Sequence, residues 1–247
     1  MPSKYVHTEI EGQKIRLSNL DKIIYPESNI SKAQIIQYFL SVSDELLKYI
    51  KDRPLTLIRF PDGIEKERFY AKEKPVWTPD WIDSFGISHS KETINYIVPK
   101  KKGDIVWLAN LSALELHPMQ FTIEKDENPD HFIFDLDPPD GSTFEMVKKI
   151  AFSLNDFLKS YGYSTFCKTS GSKGLHILVP IIKKYSHEEM TTSVKKLAKA
   201  FVSKYPDITT LHLNKSKRNN KVLIDILRNH KAHTTVAPYS LLSLIHI

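Results

Sequence analysis

Asp135 and Asp137 stand two residues apart at the end of the apolar stretch 131–134, and Pro138, Pro139 and Gly141 follow them. On a β-strand, residues i and i+2 point to the same face, so these like charges lie side by side and repel unless a cation comes between them. Paired carboxylates at the end of a buried strand suit a hard cation such as magnesium or manganese, with substrate phosphates completing its shell. The competing reading is a turn whose aspartates cap the next helix. Asp225 bears on that choice, because it is the single charge within the apolar run 222–227, and a buried carboxylate is costly unless it is paired or metal-bound. It supplies a third acid for the pair. A turn of hydroxyls, glycines and a lysine, TSGSKG at 169–174, leads into the apolar run 175–179, which carries His176. The spacing is not that of a Walker A loop and a strand follows it, yet freed backbone N–H groups, Ser170, Ser172 and Lys173 can together cradle a phosphate chain. An ordinary hairpin turn is the plain alternative, and the clustering of Lys168, Lys173 and His176 weighs against it.

Such groups need elements to hold them. Besides 131–137 and 222–227, the stretches 14–17, 54–60, 68–71, 96–98, 105–109, 163–168 and 175–179 read as strands, the 105–109 run following a basic turn at Lys100, Lys101 and Lys102. Ser31 caps a helix that runs to about Ile50, with Lys32 an exposed cation in its first turn. That position opposes the helix dipole, and a bound anion would remove the penalty. Ser142 caps a second helix with the stripe Phe144, Val147, Ile150, Ala151, Leu154, Phe157 and Leu158, and Ser186 with Glu189 forms a capping box opening a third to about Tyr205. Phe69 and Tyr70 lie among Arg59, Arg68 and Lys72. Bases stack on such rings while cations hold phosphates, although strand alternation buries one of the two. His117 precedes Pro118 and is therefore biased toward extended backbone; alone, such a histidine is more often structural than catalytic. The segment 74–85, with Trp77 and Trp81, is a loop without an assigned role, and the basic run 214–221 reads as a solvated loop.

Composition bounds the class. The 247 residues are 41% hydrophobic and 11% aromatic, enough to bury a substantial core as one large domain or two packed lobes, with the boundary in the acidic stretch 124–130. No apolar run approaches the ~18 residues of a membrane span, and the N-terminus lacks the apolar centre of a signal peptide, so a cytoplasmic protein is expected. The lone Cys167 forbids an internal disulfide and is expected to pack within a strand. A net charge of +6 suits a polyanionic partner without establishing one.

The stretches FDLDPPDG, KTSGSKGLHILVP, KSKR, VLIDILRN and TTVAPYS, together with LSNLDKIIYPES, SKAQIIQYF, DRPLTLIRFPDG, FYAKE and LELHP, resemble the polymerase domain of bacterial ligase D. That family belongs to the archaeo-eukaryotic primase superfamily and serves non-homologous end joining. The resemblance covers nearly the whole chain. It implies an α+β primase-polymerase fold, with mixed and antiparallel sheets flanked by helices in two closely packed lobes around a catalytic cleft. Residues 1–128 would form the N-terminal lobe and 129–240 the catalytic lobe. Residues 241–247 would be a non-native or truncated tail, since Leu241 and Leu242 stand where the family has a valine and a nucleotide-site arginine.

The resemblance also implies roles. Asp135, Asp137 and Asp225 would hold two Mn2+ or Mg2+ ions. His117, Ser170, Ser172, Lys173, Gly174, His176 and Arg218 would bind the NTP or dNTP. Asn19, Lys22 and Lys32 would recognise the 5′-phosphate of a downstream DNA strand, and Phe69 and Tyr70 would pack on the template, Tyr70 replacing the usual second phenylalanine. The implied function is addition of nucleotides to a 3′ end at gaps or double-strand breaks carrying a 5′-phosphate, beside the nucleoid, with Ku and a DNA ligase domain in cis or in trans as further partners. A primase that starts chains de novo, and a DNA-end-binding module with little catalysis, are the alternatives. Lys22 and Lys32 favour repair, whereas the C-terminal departure favours the binding module.

Overall fold

The computed structural model describes residues 5–90, 92–124 and 127–243. The chain forms two units, each with its own core: one from residues up to Met119 together with the segment from Thr235, the other from Gln120 to Thr234. The division falls ahead of the acidic stretch expected to contain it, and the chain re-enters the first unit near its end. Residues 244–247 of the expected tail lie outside the described residues, whereas 241–243 are seated in the first unit.

The first unit opens with the hairpin β1 (Tyr5–Ile10) and β2 (Gln13–Ser18), in which Ile15 and Leu17 face the core and Lys14 and Arg16 face outward. Short strands β3 (Ile23–Tyr25) and β4 (Ile30–Ser31) lead into helix α1 (Lys32–Ser41), and Ser31 with Gln34 forms a capping box there. The expected single helix is broken at Val42 before α2 (Ser43–Ile50). At the break the Ser41 and Ser43 hydroxyls donate to the Tyr38 and Leu40 carbonyls, local bonds that compete with the helical ladder. A sheet follows, built on β5 (Leu55–Arg59), β6 (Phe69–Ala71), β7 (Ser84–Ser88), β8 (Thr93–Ile97) and β9 (Ala113–Pro118). The run 105–109 is not a strand but lies within helix α3 (Lys102–Asn110), where the Asp104 carboxylate accepts the N–H groups of Lys100 and Lys101. Residues 103–109 are buried on every side, and a run buried all round carries no periodicity by which helix and strand can be told apart. After Thr235 the chain runs beside β9: Ala237 and Leu241 donate to the Leu116 and Leu114 carbonyls, and Tyr25 donates its hydroxyl to the Leu242 carbonyl.

The second unit is a five-stranded sheet covered by two helices. Its strands are β10 (His131–Asp137), β11 (Phe166–Thr169), β12 (Leu175–Pro180), β13 (Thr209–Thr210) and β14 (Val222–Asp225), in the order β11-β12-β10-β14-β13. Only β13 and β14 pair in parallel. Phe132, Phe134 and Leu136 of β10 pack with Ile177 of β12 and Ile224 of β14 against helices α4 (Phe144–Ser160) and α5 (His187–Lys204). Ser186 and Glu189 form the expected capping box. Ser142 does not cap α4. Thr143 holds that position without a side-chain bond, while the Ser142 hydroxyl donates to the Pro139 carbonyl, and Phe144 stays exposed. The strand expected from Tyr163 begins at Phe166, and Cys167 is exposed rather than packed, because β11 is the edge strand.

Pairing of β14 with β10 covers Asp135 to Asp137 only. Beyond that point the buried side chain of Asn229 takes the place of a strand. Its amide donates to the Ile133 and Ile226 carbonyls, and its oxygen accepts the Ile133 N–H at 2.8 Å. Backbone groups that would otherwise be orphaned in the core are thereby satisfied.

Candidate catalytic carboxylates and a cationic pocket

In the second unit, strand register aligns one titratable residue from each of four neighbouring strands. Lys168 of β11 lies opposite His176 of β12, His176 opposite Asp135 of β10, and Asp135 opposite Asp225 of β14. Side chains paired across a sheet share a face, and this is the face turned away from α4 and α5. The alternation that sends Phe134 and Leu136 into the core sends Asp135 and Asp137 the other way. His176 Nε2 stands 3.5 Å from Asp135 Oδ1. Burial, then the facing Asp225 charge, push the Asp135 carboxyl up to about 6, against the pull of Arg228 and Lys168. Burial brings the Lys168 amine down to about 8, with Asp135 working in the opposite sense. Asp225 accepts the Leu227 N–H at 2.7 Å, which holds the carboxylate where β14 ends.

Arg218 is buried and fully directed. Its Nε and one Nη donate to the His212 and Leu213 carbonyls, and the other Nη donates to Asp137 at 2.7 Å. Among the described residues no three His, Cys, Asp or Glu side chains converge on a single point where a metal ion could sit, and Asp137 is drawn to the guanidinium. The donor chemistry of the other two acids nevertheless fits a hard cation: two facing carboxylates, one of them raised by burial and then by the charge of the other, form an arrangement that a divalent charge would relax.

The turn 169–174 reaches β10 directly. The Ser170 hydroxyl accepts the Gly174 N–H at 3.1 Å and the Ser172 N–H at 3.4 Å, so it organises the turn. A Cβ on Gly174 would collide with the Leu136 carbonyl oxygen, between the two aspartates in sequence. Only glycine permits this approach. Lys173 is exposed, at the edge of ion-pairing range from Asp140.

The first unit holds the remaining expected residues. Asn19, Lys22 and Lys32 line one cavity of about 750 Å³, together with Lys14, Arg16, Arg59, Trp77, Trp81 and Trp107. The Lys32 N–H donates to the Lys22 carbonyl, which sets the two lysines side by side, while Asn19 turns the chain with φ 52°. Lys32 is not the exposed cation predicted from its place in the helix; it is 5% exposed, because the cavity lies in the body of the unit. Burial, then Lys22 and Arg59, bring its amine down to about 8, and among the described residues its ammonium has no hydrogen-bond or ion-pair partner. Lys22 pairs with Asp62. Arg59 donates its Nε to the Leu111 carbonyl.

His117 lies on β9, 3.1 Å from Glu115, whose other oxygen accepts the Ser243 hydroxyl. Burial alone would raise the Glu115 carboxyl, but His117 and Ser243 outweigh it and leave it lowered. Phe69 and Tyr70 are both exposed, on the short strand β6, so neither ring of the pair is taken by the sheet. Lys72 lies over the Tyr70 ring.

Several participants were not legible as such in the sequence. Arg228 and Asn229 flank the carboxylate row yet read as an ordinary strand end. Lys14, Arg16, Trp77 and Trp107 join Lys32 only through tertiary contact. The exposed outer face of β2 was the one available signal for Lys14 and Arg16.

Residues 31–243 match the family profile of the LigD primase-polymerase domain. The chain is 33% identical over 231 residues to a multifunctional non-homologous end joining protein LigD of Mycolicibacterium smegmatis, covering 93% of this chain and 30% of that protein. It is 33% identical over 235 residues to a bifunctional non-homologous end joining protein LigD of Bacillus subtilis, covering 95% of this chain and 38% of that protein. The chain thus spans about a third of these relatives' length. The solved polymerase domain from Mycobacterium tuberculosis ligase D, in complex with DNA, superposes with a TM-score of 0.89 at 31% identity, covering 94% of this chain and 83% of that one. No described helix is long and apolar enough to cross a membrane. A family match over most of the chain, and a solved relative of the same α+β fold, agree with the carboxylate row and the glycine-bearing turn packed on β10: the chain belongs to the LigD primase-polymerase domain family.

Proposed function

We propose that this chain is a nucleotidyltransferase that extends a DNA 3′ end with ribo- or deoxyribonucleotides during double-strand break repair by end joining. The observation that carries the proposal is the row Lys168–His176–Asp135–Asp225 on the sheet face opposite α4 and α5, with the turn 169–174 packed against β10. In the reaction the primer 3′-hydroxyl oxygen bonds to the α-phosphorus of the nucleotide as its proton passes to water, the bond to the β-phosphate oxygen breaks, and pyrophosphate leaves with the electron pair of that bond. Asp135 and Asp225, joined by Asp137, would hold Mn2+ or Mg2+, which supplies charge neutralisation at the α-phosphate and brings attacking and leaving oxygens into line.

The chain's own residues do the rest. Lys168 and His176 place positive charge and hydrogen-bond donors beside the carboxylates, where incoming phosphates would lie. Glycine lets the turn fold close against β10 with its N–H groups organised by Ser170, and Ser172 and Lys173, exposed on it, would meet the triphosphate. Arg218, anchored by two carbonyls, donates to Asp137 and so holds that carboxylate, which supports a positioning role beside the phosphate contact that the family resemblance implies. His117, oriented by Glu115, would meet the nucleotide sugar, and Phe69 and Tyr70 would stack on the template.

The ammonium of Lys32, unpartnered among the described residues and set on the cavity wall beside Lys22, supports recognition of a 5′-phosphate, which favours repair over de novo priming. DNA with gaps or breaks is then the main partner, with a ligase domain and Ku as further partners. Primer extension on a gapped duplex, with Mn2+ and ribonucleotides, tests the reading. Asp135→Ala should abolish extension while retaining DNA binding, and removing the downstream 5′-phosphate should slow the wild type. Extension by Asp135→Ala at the wild-type rate would overturn the assignment.

A further inference from the structure

The cavity around Lys32 is larger than a phosphate requires, and much of its wall is of another kind. At about 750 Å³ it could hold a whole nucleotide. Trp77, 61% exposed, is propped against the buried Trp107 with ring centroids 6.1 Å apart. An indole held open to water beside a group of cations does little for the fold, but it is the platform on which a base stacks. Lys14 and Arg16 line the same cavity from the outer face of β2. As residues i and i+2 of a strand they lie about 7 Å apart, a spacing suited to successive phosphates of an extended strand. Their position is fixed, since the Asn110 side chain at the end of α3 accepts the Ser18 N–H and donates to the Arg16 carbonyl. The Arg16 guanidinium is also stacked on Tyr5 at 3.7 Å.

We infer that the cavity takes the entire 5′-terminal nucleotide of the DNA strand, its base stacked on Trp77 and the following phosphates on Lys14 and Arg16. The inference rests on the reading that Lys22 and Lys32 hold the 5′-phosphate. It makes the pocket sensitive to the condition of the terminal nucleotide: an end that has lost its base is held less well than an intact one.

The test uses the full chain and three trinucleotides: one 5′-phosphorylated, one with a 5′-hydroxyl, and one 5′-phosphorylated with an abasic first residue. Binding is followed by tryptophan fluorescence and by calorimetry. Loss of the first base should weaken binding about tenfold, the scale of one base–aromatic stack. Trp77→Ala should weaken the intact probe by the same factor and erase the difference between intact and abasic ends, whereas Trp77→Phe should restore part of it. Trp77 is exposed, so an unchanged melting temperature identifies the effect as binding. Lys14→Ala with Arg16→Ala should reduce the slope of log K against log salt by about 1.4, two contacts at 0.7 each for a single strand. Equal binding of intact and abasic ends, with the 5′-phosphate still required, overturns this inference and leaves the phosphate pocket standing. Equal binding of the 5′-phosphate and 5′-hydroxyl probes overturns both.

Discussion

Lys32→Met should make the protein more stable and less able to recognise a DNA end. The side chain is largely buried, its ammonium opens on the cavity without a partner among the described residues, and burial, then Lys22 and Arg59, bring its amine from the ordinary 10.5 down to about 8. That fall corresponds to about 3 kcal/mol of unfavourable interaction at 1.36 kcal/mol per pK, which partial water access through the cavity mouth reduces to about 1–2 kcal/mol. Methionine keeps most of the side-chain volume and removes the charge. In urea the variant should therefore gain about 1–2 kcal/mol, and on heating about 2–8 °C for a chain of this size. The pH dependence supplies a second check. Because the folded-state value is the lower one, the unfolded chain binds more protons between pH 8 and 10.5, so the wild type should gain stability as pH rises through that window. The methionine variant should lack this rise. Binding runs oppositely: preference for a 5′-phosphate over a 5′-hydroxyl should be strong near neutral pH, decline above pH 8 in the wild type, and be lost in the variant. Destabilisation by Lys32→Met, with phosphate preference retained, would refute the reasoning, since it would mean that the ammonium is already compensated within the fold.

Three further outcomes are expected. Asn229→Ala should lower unfolding free energy by about 2–4 kcal/mol in urea titrations, because the Ile133 N–H and carbonyl would both lose their buried partner. Arg218→Met should reduce primer extension about 10- to 100-fold, the usual effect of losing a group that orients a metal-binding side chain, with a smaller change in DNA affinity. Gly174→Ala should weaken nucleotide binding and cost about 1–3 kcal/mol of stability, since the added methyl meets the Leu136 carbonyl rather than a flexible side chain. Ser172→Ala, in the same turn but exposed, should leave stability unchanged.

The alternation of residues 131–137 was enough to predict that Asp135 and Asp137 share a face opposite Phe134 and Leu136. That Asp225 lies directly across from Asp135 was not legible, because register depends on which strands pair, and nothing local to β14 names its partner. The helix at 102–110 was misread for a related reason: an element buried on every side lacks the polar residues that mark its period. Lys32 was placed correctly on its helix but judged exposed, since helical position reports the dipole and not what packs over the first turn. Trp107 is distant in sequence from Trp77 and Trp81, and only the fold gathers the three around the lysines. Asn229 was invisible because its importance lies in two backbone groups nearly a hundred residues away.

Residues 134–137 of strand β10 alternate greasy and acidic, and this couples them as firmly as a gear couples its teeth. A slip of one position would drive Asp135 and Asp137 in among Leu154, Phe157 and Phe201 while turning Phe134 and Leu136 onto the face that the acids now occupy. The force that keeps the acids in place therefore comes from the reverse side of the sheet. It follows that small cavities cut in α4 or α5, remote from any substrate, should blunt the chemistry in proportion to how far they let that strand loosen, so that the oily layer serves as the jig in which the carboxylates are clamped.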